Sequence, residues 1–290
     1  MKLGIVVASE NALPSAFAVF RGIEKSAEII HRLGYDGMEL ALKESDEITH
    51  DELRAILKKN SLEVSAISTG QVFAARGLMF TDSDKERRAE LWKSFTGFVD
   101  LASEFGGLVN VGRVRGSIDN RPKEEAEGLF LDLMGQVADY AEKRGVTIIL
   151  EPVNRYEIDY INSVDQGAEL VRKMGRKNFA LMPDVFHMNI EDAHIGETLI
   201  RNREMVKYVH LADTNRLSCG DGHMDWDDVF SALGKMKFDG WCSVECFPVP
   251  DAITAAERTV KFLRERYILG GNHGTSFSIW KGDSFNRYRG

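Results

Sequence analysis

Short apolar runs alternate with longer segments of helical periodicity along most of this 290-residue chain. The runs are rich in β-branched residues and lack polar alternation, which is typical of strands that are buried on both faces of a parallel sheet. One of these runs ends directly before a carboxylate, Glu151. We predict eight such strands, at 2–9, 38–42, 64–68, 108–111, 146–150, 179–182, 206–211 and 241–244.

Most predicted strands lead into a segment whose apolar residues recur at helical spacing. Ile23, Ala27 and Ile30 show this spacing after the first strand. Thr49 and Glu52 form a capping box that begins the second helix. We predict eight helices, at 22–33, 49–60, 84–105, 122–144, 163–175, 193–203, 226–236 and 252–267.

The repeated strand and helix units predict an α/β fold with one domain. Right-handed crossovers place each new parallel strand beside the preceding one, so eight consecutive units predict a single (β/α)8 TIM barrel. We assign residues 1–267 to this barrel. Residues 268–290 are rich in glycine, serine and asparagine, and we predict that they form a C-terminal extension of unknown role.

Composition narrows the classes of partner. A formal net charge of -8 argues against an extended cationic surface for nucleic acid or anionic membranes. The three cysteines offer no paired framework, the short first apolar run predicts no signal segment, and no apolar run reaches membrane-spanning length. We therefore expect a cytoplasmic protein with a small-molecule substrate.

Four residues that can ligate metals lie at or next to the ends of the last four predicted strands. They are Glu151, Asp184, His210 and Glu245. Adjacent barrel strands lie about 4.8 Å apart, so these side chains can meet at the carboxyl face of the barrel. Three carboxylates held together need compensating positive charge, which a divalent cation supplies. Three oxygens and one nitrogen suit Mn²⁺, Mg²⁺ or Co²⁺, and the absence of thiolates weakens the case for structural zinc.

Five segments that contain these residues carry a resemblance to a known family. The chain over residues 1–267 resembles the xylose-isomerase-like TIM barrels, and within them the ketose 3-epimerases related to D-tagatose 3-epimerase. The segments are LEPVNRYE (150–157), PDVFHMNIED (183–192), VHLADTNR (209–216), GDGHMDW (220–226) and VECF (244–247).

The resemblance implies roles for particular residues. It implies that the four residues named above bind a metal ion, with Mn²⁺ expected and Co²⁺ or Mg²⁺ as alternatives. It also implies that Glu157, His187 and Arg216 bind the substrate. Barrels of this family are often dimers or tetramers, so we expect a homo-oligomer.

The ligand arrangement and the resemblance together predict an isomerase that inverts the carbon next to a keto group. The carbon beside a ketone loses its proton with difficulty, and a metal ion stabilises the resulting cis-enediolate as a Lewis acid. Glu151 and Glu245 come from the outer strands of the four, so we expect them to face the substrate from opposite sides. One carboxylate removes the proton and the other returns it, which makes both residues catalytic.

The substrate stays open between two classes. Arg113 and Arg115 follow the fourth strand, and the guanidinium fork of arginine suits a carboxylate or a phosphate. A keto-sugar acid, such as a ketogluconate or tagaturonate, would use these two arginines. A free ketohexose, such as tagatose or fructose, is the other substrate class.

Three other functions share parts of this pattern. An aldose–ketose isomerase such as a hydroxypyruvate isomerase forms the same enediolate and is the alternative within the fold. An apurinic-site endonuclease needs a histidine-rich metal cluster and a cationic face, which seven histidines and a net charge of -8 do not supply. A non-catalytic sugar-binding barrel would not need a carboxylate at three ligand positions.

Overall fold

The computed structural model describes residues 1–267, and the extension predicted at 268–290 lies outside the described residues. The strands are β1 (Lys2–Ala8), β2 (Phe20–Arg21), β3 (Gly37–Ala41), β4 (Glu63–Ser68), β5 (Leu108–Val111), β6 (Thr147–Leu150), β7 (Phe179–Leu181), β8 (Tyr208–Leu211) and β9 (Trp241–Val244). The helices are α1 (Ile23–Leu33), α2 (His50–Asn60), α3 (Gly70–Arg76), α4 (Lys85–Glu104), α5 (Lys123–Glu142), α6 (Val164–Met174), α7 (Val185–Glu191), α8 (Ile195–Arg201), α9 (Trp226–Lys235) and α10 (Ala252–Tyr267).

Eight of the strands form one parallel ring, which confirms the predicted TIM barrel. The paired order is β7-β6-β5-β4-β3-β1-β9-β8. The ring closes between β7 and β8, where Leu181 bridges Val206 and Asp184 bridges His210. Strand β2 is additional to the prediction and pairs only with β1.

Successive residues of each barrel strand face different environments. One set packs against the helices in a large apolar core. The alternate set faces the barrel interior, where Ala66, Ile149, Ala180, Met182 and Tyr208 form a smaller cluster. Because the residues of this second set share a narrow space, a polar side chain among them must find its partner on another strand.

Helix ends follow the predicted chemistry in several places. The Thr49 side chain accepts a hydrogen bond from the backbone N–H of Glu52, and the Glu52 carboxylate accepts one from Thr49. This confirms the predicted capping box. None of the helices within residues 1–267 combines the length and the apolar character that crossing a bilayer requires.

Two short helices fall where the sequence predicts loops. Helix α3 follows β4, and helix α7 follows β7. Each has seven residues, which is too short for a clear period of apolar residues. Asp184 is the N-cap residue of helix α7, and its carboxylate accepts a hydrogen bond from the backbone N–H of Phe186 at 2.8 Å. The capping residue is therefore also a predicted metal ligand.

Candidate metal centre

The carboxyl ends of four neighbouring strands bring together all four predicted metal ligands. Glu151 follows β6, Asp184 begins α7 after β7, His210 lies in β8 and Glu245 follows β9. The four side chains are buried or nearly so. We call these four residues the ligand cluster.

The donor atoms of the ligand cluster converge on one point. His210 Nδ1 lies 3.4 Å from Glu151 Oε1, 3.6 Å from Glu245 Oε2 and 3.8 Å from Asp184 Oδ2. One such atom from each residue lies within 4.8 Å of the others. Ligands bonded to one cation at about 2.1 Å lie roughly 3 to 4.3 Å apart. His210 Nδ1 is buried without a hydrogen-bond partner, so the cluster fits a divalent cation.

The three carboxyl groups of the cluster differ in pKa. Burial, the largest cause, raises the pKa of Glu245 to about 8, although Arg216 and His210 oppose it. Burial acts on Glu151 and Asp184 as well, but positive neighbours outweigh it there. His210 lowers the pKa of Glu151, and Arg216 lowers that of Asp184 to about 2. Burial and the neighbouring carboxylates of Glu151 and Asp184 therefore raise the pKa of Glu245 above those of the other two carboxyl groups.

A buried glutamate that sequence reasoning missed lies behind the cluster. Glu39 Oε2 accepts hydrogen bonds from His210 Nε2 at 2.8 Å and from the Tyr208 hydroxyl at 2.9 Å. Burial lowers the pKa of His210, but the charges of Glu39 and Glu245 outweigh it and raise that pKa well above its usual value. The available signal was a carboxylate in the middle of the otherwise apolar strand β3.

Arg216 contacts two members of the cluster. Its guanidinium donates hydrogen bonds to Asp184 and Glu245 and lies 4.6 Å from the ring centroid of Phe186. Burial lowers the pKa of Arg216, but the charges of Asp184 and Glu245 raise it by more. Arg216 also lines the pocket above the cluster.

His187 and Glu157 line the same pocket and are joined by Asn154. The Asn154 Nδ2 donates to His187 Nδ1 at 2.7 Å and to Glu157 Oε1 at 3.2 Å. The backbone N–H of Tyr156 donates to Asn154 Oδ1 at 3.0 Å, which fixes the orientation of the amide. His187 therefore presents Nε2 to the cluster, 3.9 Å from Glu151, and burial lowers the pKa of His187.

Arg113 lies at the pocket, as the sequence predicts. It belongs to a 3-10 turn after β5, and its Nη1 atom lies 3.8 Å from Glu157 Oε2. The guanidinium also lies 5.5 Å and 5.7 Å from the ring centroids of Phe17 and Phe73. Arg113 is thus held at the wall of the pocket, which it lines together with Glu157 and Phe17.

Arg115 does not reach the pocket, so its prediction as a substrate-binding residue is corrected. Its side chain is fully buried and donates hydrogen bonds to the backbone carbonyls of Gly112, Glu151, Tyr160 and Ile161 at 2.6–2.9 Å. Burial lowers the pKa of Arg115 to about 10, with Glu151 opposing the shift. Its donors are used to hold the loop after β6 against the turn after β5.

Other pocket residues were not found from the sequence. Phe17, from the segment between β1 and β2, lines the pocket and packs 5.8 Å from Phe247. Asn110 Nδ2 donates to Glu151 Oε2 at 3.3 Å. Gly112 leaves room for the same carboxylate, because a Cβ at that position would lie 2.7 Å from Glu151 Oε2. The signal that could have identified Asn110 is an amide within an otherwise apolar strand, whereas Phe17 and Gly112 carry no such signal.

Comparison with known proteins places the fold and the motifs in one family. A family model described as xylose isomerase-like TIM barrel matches residues 27–266. A ketose 3-epimerase of Arthrobacter globiformis is 28% identical over 232 residues, which cover 78% of each chain. A 3-dehydro-D-guloside 4-epimerase of Escherichia coli is 25% identical over 225 residues, which cover 74% of this chain and 84% of the relative.

A solved structure agrees with the architecture. The crystal structure of a D-allulose 3-epimerase from a Methylomonas species in complex with D-allulose superposes with a TM-score of 0.78. It is 22% identical and covers 92% of this chain and 98% of its own. At this level of identity the likeness establishes the shared barrel fold.

Proposed function

Because this chain belongs to the xylose isomerase-like TIM barrel family, we propose that it is a metal-dependent sugar epimerase. It inverts the carbon next to the keto group of a ketohexose or a keto-sugar acid. The observation that carries the proposal is the convergence of two glutamates, an aspartate and a histidine on one buried point. The curated relatives compared above are named as epimerases, which agrees with the isomerase class predicted from the sequence.

The ligand cluster is proposed to hold the cation through Glu151, Asp184, His210 and Glu245. Mn²⁺ is the expected ion, with Co²⁺ or Mg²⁺ as alternatives, because the donors are three oxygens and one imidazole nitrogen. When bound, the cation supplies Lewis-acid polarisation of the substrate's keto group. The remaining steps belong to side chains of the protein.

Glu151 and Glu245 are proposed as the catalytic acid and base. They follow β6 and β9, the strands that flank β7 and β8 in the closed ring, which supports an approach to the substrate from two sides. One carboxylate removes the proton from the carbon beside the keto group and leaves a cis-enediolate. The other carboxyl group delivers a proton to the opposite face, which inverts the carbon. Exchange of these roles runs the reaction backward.

The pocket wall is proposed to bind the substrate's other polar groups. His187, Glu157, Arg216 and Arg113 line this wall and offer both donors and acceptors to hydroxyl groups. The unfilled donors of Arg113 also suit the carboxylate of a keto-sugar acid. A cytoplasmic location and a dimer or tetramer are parts of the same proposal.

A product screen tests the reaction. The protein is supplied with Mn²⁺ and incubated in D₂O with ketohexoses and with keto-sugar acids, and the products are analysed by NMR. The expected product is an epimer that carries deuterium at the inverted carbon. An aldose product would instead establish the aldose–ketose isomerase, and no turnover of either class would overturn the proposal.

Two substitutions test the acid and base assignment. Glu151→Gln and Glu245→Gln should each abolish exchange of the substrate proton with solvent while metal stays bound, because an amide cannot accept or deliver that proton. NMR detects the exchange, and elemental analysis after dialysis measures the metal. Glu204→Gln is the matched control, since the Glu204 side chain is 84% exposed. Retained exchange in both cluster variants would contradict the assignment.

A further inference from the structure

Glu39 is a buried carboxylate that the proposed reaction does not use. It lies on β3 between Met38 and Leu40, and its exposed fraction is 0%. The two neighbours pack into the apolar core against the helices, so Glu39 points into the barrel interior. Taking a carboxylate out of water is unfavourable unless donors replace the lost hydration, and an apolar residue of similar size is often the more stable choice.

The donors that satisfy Glu39 come from the strand that carries the cluster histidine. His210 Nε2 donates to Glu39 Oε2 at 2.8 Å, and the Tyr208 hydroxyl donates to the same oxygen at 2.9 Å. The Tyr208 hydroxyl is in turn 2.7 Å from Ser65 Oγ. The second oxygen, Glu39 Oε1, is buried without a partner. Packing alone does not account for a buried carboxylate of which only one oxygen is hydrogen-bonded.

The hydrogen bond from His210 Nε2 decides which edge of the imidazole ring points toward the ligand cluster. A histidine ring has two nitrogens, and the partner of one fixes the orientation of the other. With Nε2 held by Glu39, Nδ1 is the atom that faces the oxygens of Glu151, Asp184 and Glu245 at 3.4–3.8 Å. Rotation of the ring by half a turn would direct carbon atoms toward the carboxylates.

We propose that Glu39 is a positioning residue that holds His210 with Nδ1 directed at the cation. Glu39 touches neither the cation nor the substrate and acts only through the imidazole. Its negative charge makes the ring a stronger donor of electrons to a metal, as carboxylate partners of metal-binding histidines do. The inference rests on the metal site of the proposed function and adds a residue to it.

Tyr208 provides a matched comparison for Glu39. Both side chains are fully buried and belong to the same hydrogen-bonded chain. Tyr208→Phe removes one donor from Glu39 but leaves the bond between Glu39 and His210 intact. Glu39→Gln keeps an oxygen that accepts the His210 proton and removes the charge. A general loss of packing would affect both variants, whereas loss of the negative charge behind His210 affects only Glu39→Gln.

Calorimetric titration of the metal-free proteins with Mn²⁺ tests the proposal without relying on activity. Glu39→Gln should weaken Mn²⁺ binding by about 10-fold to 100-fold, the range for loss of a histidine's carboxylate partner. Tyr208→Phe should retain nearly the affinity of the unaltered protein. Equal affinities for Glu39→Gln and the unaltered protein, or equal weakening in the two variants, would overturn the role of Glu39.

A measurement on the unaltered protein covers the case in which the variants fail to fold. Correlation of ¹⁵N and ¹H signals in the imidazole rings, with diamagnetic Mg²⁺ bound, identifies which nitrogen of His210 carries hydrogen. Hydrogen on Nε2 and none on Nδ1 is expected, and the reverse would overturn the proposal. Absence of binding of either ion to the unaltered protein would overturn the metal site of the proposed function and this inference together.

Discussion

The guanidinium group of Arg115 donates to four backbone carbonyls in the interior, whereas that of Arg113 lies at the pocket. The two residues share one 3-10 turn, which has about 3 residues per turn, so side chains two positions apart point in different directions. The sequence predicts that Arg113 and Arg115 together bind an anion. In the structure, Arg115 has a structural role and only Arg113 lies at the pocket.

This difference predicts opposite outcomes for two identical substitutions. Arg115→Met should lower the free energy of unfolding by about 3 kcal/mol or more, because several buried carbonyl oxygens lose their donor. Arg113→Met should change stability by less than about 1 kcal/mol and should lower turnover of keto-sugar acids more than that of neutral ketoses. Urea unfolding and steady-state kinetics measure the two effects.

Each variant serves as the control for the other, since both lose one guanidinium from the same turn. Equal stabilities of the two variants would contradict the structural role of Arg115. Equal losses of turnover on acidic and neutral substrates in Arg113→Met would argue against a contact between Arg113 and a substrate carboxylate.

At the scale of elements, local chemistry at helix ends is a better guide than periodicity in short segments. The capping box of α2 involves residues three positions apart, so the sequence contains all of its information. Helix α7 depends on Asp184, which faces the cluster and caps the helix at once. The same carboxylate thus couples the start of α7 to the geometry of the metal centre.

Asp192, at the C-terminal end of α7, should make the free energy of unfolding depend on pH. Burial raises the pKa of Asp192 from 3.8 to about 6, with Asp165 and Glu191 adding to the shift and Val164 opposing it. Asp192 Oδ2 is buried without a partner. The protonated carboxyl group therefore favours the folded state, and this contribution is fully present below pH 3.8 and lost as the pH rises through about 6.

Asp192→Asn should accordingly raise the free energy of unfolding at pH 8 by on the order of 1 kcal/mol, a value reduced for the partial exposure of the group. The amide cannot ionise, and it has nearly the same size and shape as the carboxyl group. The advantage should shrink toward zero near pH 4, which urea unfolding at the two pH values measures. A gain of the same size at both pH values would show that ionisation of Asp192 is not the cause.

At the scale of the whole molecule, closure of the barrel creates the metal centre. The bridge between Asp184 and His210 is one of the contacts that join β7 to β8, so the ligand cluster forms only when the ring is complete. A cation that binds this cluster therefore binds the folded chain and not the unfolded one.

Loading with metal should stabilise the fold as a consequence. At a free Mn²⁺ concentration about 100 times the dissociation constant, the free energy of unfolding should rise by about 2.7 kcal/mol. Thermal unfolding with Mn²⁺ or with EDTA measures the difference. Asp184→Ala should lose most of this difference because the variant has no side-chain oxygen at that position to bind the cation, and an undiminished difference in that variant would place the binding elsewhere.

The sequence by itself determined the eight barrel strands and their order, the closed barrel, and the four residues of the ligand cluster. Strand patterns and caps depend on residues close in the chain, and the rule for parallel crossovers then sets the neighbours of each strand. Glu151, Asp184, His210 and Glu245 were found because each lies at or near the end of a predicted strand.

The tertiary structure alone decided which polar side chains meet. Glu39 and His210 are 171 positions apart, and Arg115 and Tyr160 are 45 positions apart. Their contacts depend on the register and tilt of strands around a closed ring, which a pattern of apolar residues does not specify. A glutamate inside an apolar strand, such as Glu39 in β3, indicates that a polar partner is needed. Only the folded chain identifies that partner as the imidazole of His210 at the metal centre.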